Sequence, residues 1–104
     1  MSLRPPGQYA NPGRPGDGVQ ILDYEIVAEK AASLGRAGHR VERTLAALKE
    51  FAGEADARKA LVRDAAAAVY AYFIQRELCG MRRHHDVIRE YAIPGEVLAR
   101  LGAT

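Results

Sequence analysis

Tyr24, Val27, Ala31, Leu34, Gly38, Val41, Leu45 and Leu48 follow one another at steps of three and four. That is a heptad seam of nearly four repeats, with one apolar or small side chain per turn on a single helix face. No proline interrupts residues 19–51. The spacing therefore predicts a helix over about 19–51, roughly 48 Å long at about 1.5 Å per residue. Asp17 and Gln20 resemble a capping box at its start. Gly35 and Gly38 lie inside it, and each costs about 1 kcal/mol in a helix interior. Either they break the helix in two, or the helix continues and another backbone crosses it closely there. Gly38 falls on the seam, and Ala31, Gly35 and Ala37 beside it are small, which favours the continuous helix.

The stretch FAGEADA supplies a turn, with Gly53 after the helix end and Asp56 as the cap of a second helix over about 56–79. Residues 65–74, AAAAVYAYFI, are apolar on every side, the pattern of a helix buried all round. Ala65–Ala68 leave room for a neighbouring backbone, near Gly35 and Gly38. Val69, Tyr72 and Phe73 line one face, and Tyr70 and Ile74 another. One helical partner cannot cover both, so short C-terminal helices or a second subunit must share the task.

Gly80 ends the second helix. A third is expected over about 82–91, with Ile88, Tyr91 and one histidine inward. Pro94 disfavours helix at Ile93 and starts a fourth over about 95–101, with Val97, Leu98 and Leu101 inward and Gly102 at its end. The fold class is all-α: a long antiparallel helical hairpin (about 19–51 and 56–79) with two short C-terminal helices. One domain covers 19–104. Residues 1–18 hold four prolines and four glycines and form an arm, flexible or packed on a partner through Leu3 and Tyr9.

Composition narrows the function classes. The chain has 15 basic and 13 acidic residues. Without Arg4, Arg14 and Asp17 of the arm the domain keeps thirteen and twelve, which is no electrostatic footprint for nucleic acid. Twelve arginines against three lysines, with abundant alanine, point to GC-rich bacterial coding. A single cysteine, Cys79, rules out an internal disulfide. There is no apolar run of membrane length and no signal-peptide core, so the expected location is the cytoplasm.

The segment CGMRRHHD, residues 79–86, concentrates the chemistry-bearing side chains. His84 and His85 are consecutive, so on a helix they point about 100° apart and cannot share one ion. One is expected to pack on the hairpin and the other to face solvent. Arg82, Asp86, Arg89 and Glu90 read as a solvated ion-pair ladder, with Arg82 and Asp86 paired. Cys79 lies at a helix C-terminus, where the dipole disfavours a thiolate. No hydroxyl nucleophile has a base beside it, and no glycine-rich loop follows a strand. No enzyme, metal or cofactor is expected.

Binding surfaces remain. Arg36, His39, Arg40 and Arg43 lie away from the seam and form a basic stripe; with Arg82 and Arg83 they are the candidate partner-binding residues. Asp23, Glu25 and Glu29 precede the stripe, so two copies lying antiparallel place acid near base. Leu34, Gly35, Gly38, Val41, Tyr70 and Ile74 are the candidate self-association residues, and a homodimer is expected. The last two helices admit a helix–turn–helix reading, but the second offers only Glu96 and Arg100 to bases, and Glu96 meets phosphate badly.

LDYEIVAEKAASLGRAGHRVE and FIQRELCGMRRHHDVIREYAIPGEVLARLG resemble a family of small uncharacterised helical proteins found mainly in alphaproteobacteria, a domain of unknown function, over about residues 20–102. The resemblance implies a one-domain helical fold and supplies no site residues. The expected function is that of a non-enzymatic helical interaction or structural protein that self-associates. The alternative is a small nucleic-acid-associated regulator that uses the basic stripe or the C-terminal helix pair.

Overall fold

The structure, a computed structural model, describes residues 18–101. The arm, the Asp17 cap and Gly102 lie outside the described residues. Four helices follow in order: α1 (Gly18–Glu50), α2 (Ala55–Leu78), α3 (His85–Glu90) and α4 (Gly95–Leu98). The chain divides into two compact units, 1–31 and 32–104. In the first, the described residues open α1, and from Gln20 to Ala31 every one is exposed. The second holds the remainder of α1 and the other three helices.

The core of the second unit is assembled one valine per helix: Val41 from α1, Val69 from α2, Val87 from α3 and Val97 from α4 are all buried. Val41, Val69 and Val97 have no exposed surface at all. Full burial of such a side chain contributes about 1.5–3 kcal/mol. Leu48, Val62, Ala65, Ala66, Ala68, Tyr72 and Ile93 complete this core. Within this unit the seam on α1 is used as its spacing predicts, with Gly38, Val41 and Leu48 buried and Leu34 and Leu45 half-buried.

α1 runs unbroken through both glycines. The expected crossing by a backbone at Gly38 is instead a contact with two aromatic side chains. A Cβ there would lie 3.3 Å from Tyr91 Oη and 3.4 Å from Tyr72 Cε1. The alanines of α2 are not its neighbours. Gly35 is exposed, and a Cβ on it would meet nothing.

α2 departs from the all-round burial its composition predicts. Val69 and Tyr72 are buried, but Tyr70, Ile74 and Leu78 are exposed. They recur four apart, so one stripe of the helix lies uncovered. Asp56 is not the cap: Glu54 holds that position with extended backbone, and Asp56 sits in the first turn, 4.0 Å from Lys59. Gly53 is needed for space rather than for a left-handed backbone, because the Phe51 ring folds over the position its Cβ would take.

α2 and α3 end in the same device. At α2, Gly80 N–H donates to Glu77 O and Met81 N–H to Arg76 O, with Gly80 at φ 90°. At α3, Ala92 N–H donates to Arg89 O and Ile93 N–H to Ile88 O. Both are Schellman motifs, but the second places an alanine, at φ 52°, where glycine is favoured. α3 starts three residues later than expected, because the loop before it is held by α2. α4 is a single turn that relaxes into tighter bonds, Arg100 N–H to Val97 O and Leu101 N–H to Leu98 O, rather than continuing to residue 101.

Candidate interaction surface

The segment CGMRRHHD is a strapped loop. Arg76 on α2 donates from Nη2 to the Arg83 carbonyl at 2.8 Å and from Nε to His84 Nδ1 at 3.2 Å. Arginine has only donors, so Nδ1 accepts and the imidazole proton sits on Nε2. That nitrogen faces Glu77 Oε2 at 3.0 Å. The His84 ring stacks on Phe73 with centroids 4.1 Å apart and planes 2° from parallel. Arg76 also lies over the Tyr72 ring, 5.9 Å from its centroid. His84 is therefore the inward histidine, and His85 is exposed. Both nitrogens of His84 are engaged by protein atoms. Among the described residues no three His, Cys, Asp or Glu side chains are grouped to hold a metal ion. Asp86 pairs with Arg89 at 3.0 Å, not with Arg82, which precedes the helix. Arg82 and Arg83 project their side chains from this loop and are exposed.

At the far end of α2, Arg58 grips Glu96 of α4 with two parallel bonds, Nη1 to Oε1 at 2.8 Å and Nη2 to Oε2 at 2.6 Å. The hydrogen bond to Arg58 holds the Glu96 carboxyl below the usual carboxylate range, and the same bond raises the guanidinium. This pair ties α4 down and takes Glu96 out of any recognition role. Nothing in local spacing announces a pair 38 residues apart. Beside it a groove of about 610 Å³ lies between α1 and the α3–α4 connection, with Leu45, Phe51, Tyr91 and Pro94 among its walls. Burial, then a hydrogen bond with Tyr72, pushes the Tyr91 phenol up to about 12. The two rings meet edge to face at 87°, with centroids 5.7 Å apart.

The sequence-selected residues converge at a second groove, of about 520 Å³, between α1 and α2. Ala37, Ala68 and Ala71 keep its floor low. Tyr70 and Ile74 wall it on α2, and Ser33, Arg36 and Arg40 wall it on α1. Arg36 Nη2 donates to Ser33 Oγ at 3.0 Å, which orders that rim. Two sets of candidates, basic and apolar, thus share one trough. Arg43 is exposed further along α1, and His39 is turned to Glu42, Nδ1 to Oε1 at 3.3 Å. Gly38 and Val41 are covered by the chain's own side chains and offer no surface to a partner. Leu34 is half-buried, while Gly35 faces open space.

The first unit presents a second apolar surface. Tyr24 is 78 % exposed and Val27 64 %, and Ile21, Leu22 and Ile26 are exposed beside them. Sequence reasoning placed Tyr24 and Val27 on a covered seam; that seam is covered only from Leu34 onward. No described helix is long and apolar enough to cross a membrane.

The chain matches, over residues 1–104, the family described as a family of unknown function (DUF6665), and it belongs to that family. No curated protein and no solved structure matches it.

Proposed function

We propose that this family member is a non-enzymatic helical interaction protein that associates with itself in the cytoplasm of an alphaproteobacterium. One observation carries the reading. Eight large apolar side chains among the described residues are exposed, five on the first part of α1 and three in a stripe on α2. Single exposed apolar residues are ordinary, but grouped ones mark contact surfaces. Helix α1 also carries more apolar face than its own chain covers. The arginine-rich composition and the lone free thiol, Cys79, support the bacterial and cytoplasmic setting.

The test is light scattering across a concentration series for the wild type and for Tyr70→Ser with Ile74→Ser. Both side chains are exposed, so the variant keeps its helicity. The reading expects concentration-dependent association that the variant weakens. A nucleic-acid role predicts something else: binding to random duplex at low salt, lost steeply as salt rises, and abolished by Arg36→Ala, Arg40→Ala and Arg43→Ala together.

A further inference from the structure

We infer that the occupant of the α1–α2 groove is a second copy of this chain, with the two α1 helices antiparallel about a twofold axis between residues 32 and 33. The inference rests on the self-association reading and names its surface. Spacing carries it first. Leu22, Ile26, Glu29, Ser33, Arg36 and Arg40 follow one another at steps of four and three, so they line one side of a helix. Glu25 lies four residues before Glu29 on that side. Every one of these residues is exposed or half-exposed. This is not the side that carries Val41 and Leu48 into the core.

Charge selects the direction. The side is acidic at Glu25 and Glu29, neutral at Ser33 and basic at Arg36 and Arg40. Antiparallel pairing about the 32–33 midpoint sets Glu29 opposite Arg36 of the other copy and Glu25 opposite Arg40 of the other copy. The twofold makes each pair twice. Parallel pairing would instead oppose acid to acid and base to base, which costs association.

Apolar surface follows in the same register. Leu22 and Ile26 of one copy run alongside the groove of the other, next to Tyr70 and Ile74 and over the alanine floor. All four of those large side chains are exposed in the isolated chain. The pairing covers them, and the arginines on the rim meet carboxylates.

Two charge-reversed chains test this, one with Arg36→Glu and Arg40→Glu, the other with Glu25→Arg and Glu29→Arg. Circular dichroism confirms that each folds, as exposed positions allow. Sedimentation then measures association of each alone and of the equimolar mixture. Each reversal alone raises the dimer dissociation constant about tenfold or more, through like charges brought face to face. The mixture restores dimers, because both contacts become acid against base again. Raising salt weakens the wild-type dimer by screening its rim pairs. A dimer indifferent to both reversals puts the second copy on another face and overturns the inference while self-association stands. Reversals that weaken association without rescue on mixing overturn it as well. A monomeric wild type overturns both readings and leaves the groove to a different partner.

Discussion

Gly35 and Gly38 look equivalent in sequence, and the structure separates them. Replacing either by alanine restores a Cβ to a helix interior and removes glycine's excess backbone entropy, a gain of about 0.5–1 kcal/mol. At Gly35 that Cβ meets nothing within 4 Å, so the whole gain is realised. For a domain of this size it raises the melting temperature by roughly 2–8 °C, at about 4–8 °C per kcal/mol. At Gly38 the Cβ arrives 3.3 Å from Tyr91 Oη and 3.4 Å from Tyr72 Cε1. Both rings must yield by a few tenths of an ångström, and the hydrogen bond between them resists. Forcing one ring off its rotamer costs about 0.5–1.5 kcal/mol, which cancels the gain. Gly38→Ala is therefore close to neutral. Gly38→Val adds two further methyl groups to occupied space and is destabilising by about 1–3 kcal/mol. Urea unfolding followed by circular dichroism ranks the variants as Gly35→Ala, then wild type beside Gly38→Ala, then Gly38→Val. A Gly35→Ala chain less stable than wild type, or a Gly38→Val chain equal to it, would refute the aromatic contact as the reason for the glycine.

Other consequences follow from single positions. Ala92→Gly relieves the left-handed backbone at the α3 end and stabilises by about 0.5–1 kcal/mol, read from the urea midpoint; no gain would mean the alanine is unstrained. Val69→Ala removes two methyl groups from a site with no exposed surface and costs about 2 kcal/mol or more once the cavity is included, seen in the same transition. Tyr91 has its phenol raised to about 12 in the fold, against about 10 when unfolded. A raised group lends stability that is complete below the unfolded value and is lost as pH climbs through the folded one. Wild type thus loses stability between about pH 10 and 12, and Tyr91→Phe flattens that slope; parallel melting curves for the two proteins would contradict the burial of this hydroxyl.

The periodic parts of the molecule were legible and the long-range parts were not. The three–four spacing from Leu34 to Leu48 located a buried face because helix geometry alone puts those side chains together. The same spacing at Tyr24 and Val27 says nothing about whether a partner exists, and both are exposed. For α2, composition announced an apolar helix, but only tertiary placement decides that Val69 is covered and Ile74 is not. Local rules ended α2 at Gly80, because φ 90° suits glycine. They missed Ala92, where the fold holds an alanine in a backbone conformation it disfavours. The Arg58–Glu96 clamp, and Arg76 on His84, depend on how chain segments meet, for which spacing carries no signal. His84 and His85 were rightly separated by helical angle, though choosing the inward one needed the Phe73 ring.

Two copies in contact are the centre of this account, and the mass of the wild-type chain in solution tests it most directly. Sedimentation equilibrium at micromolar concentration and moderate salt should give a species of twice the 11.3 kDa chain mass, dissociating on dilution. A single 11.3 kDa species at every concentration would contradict it.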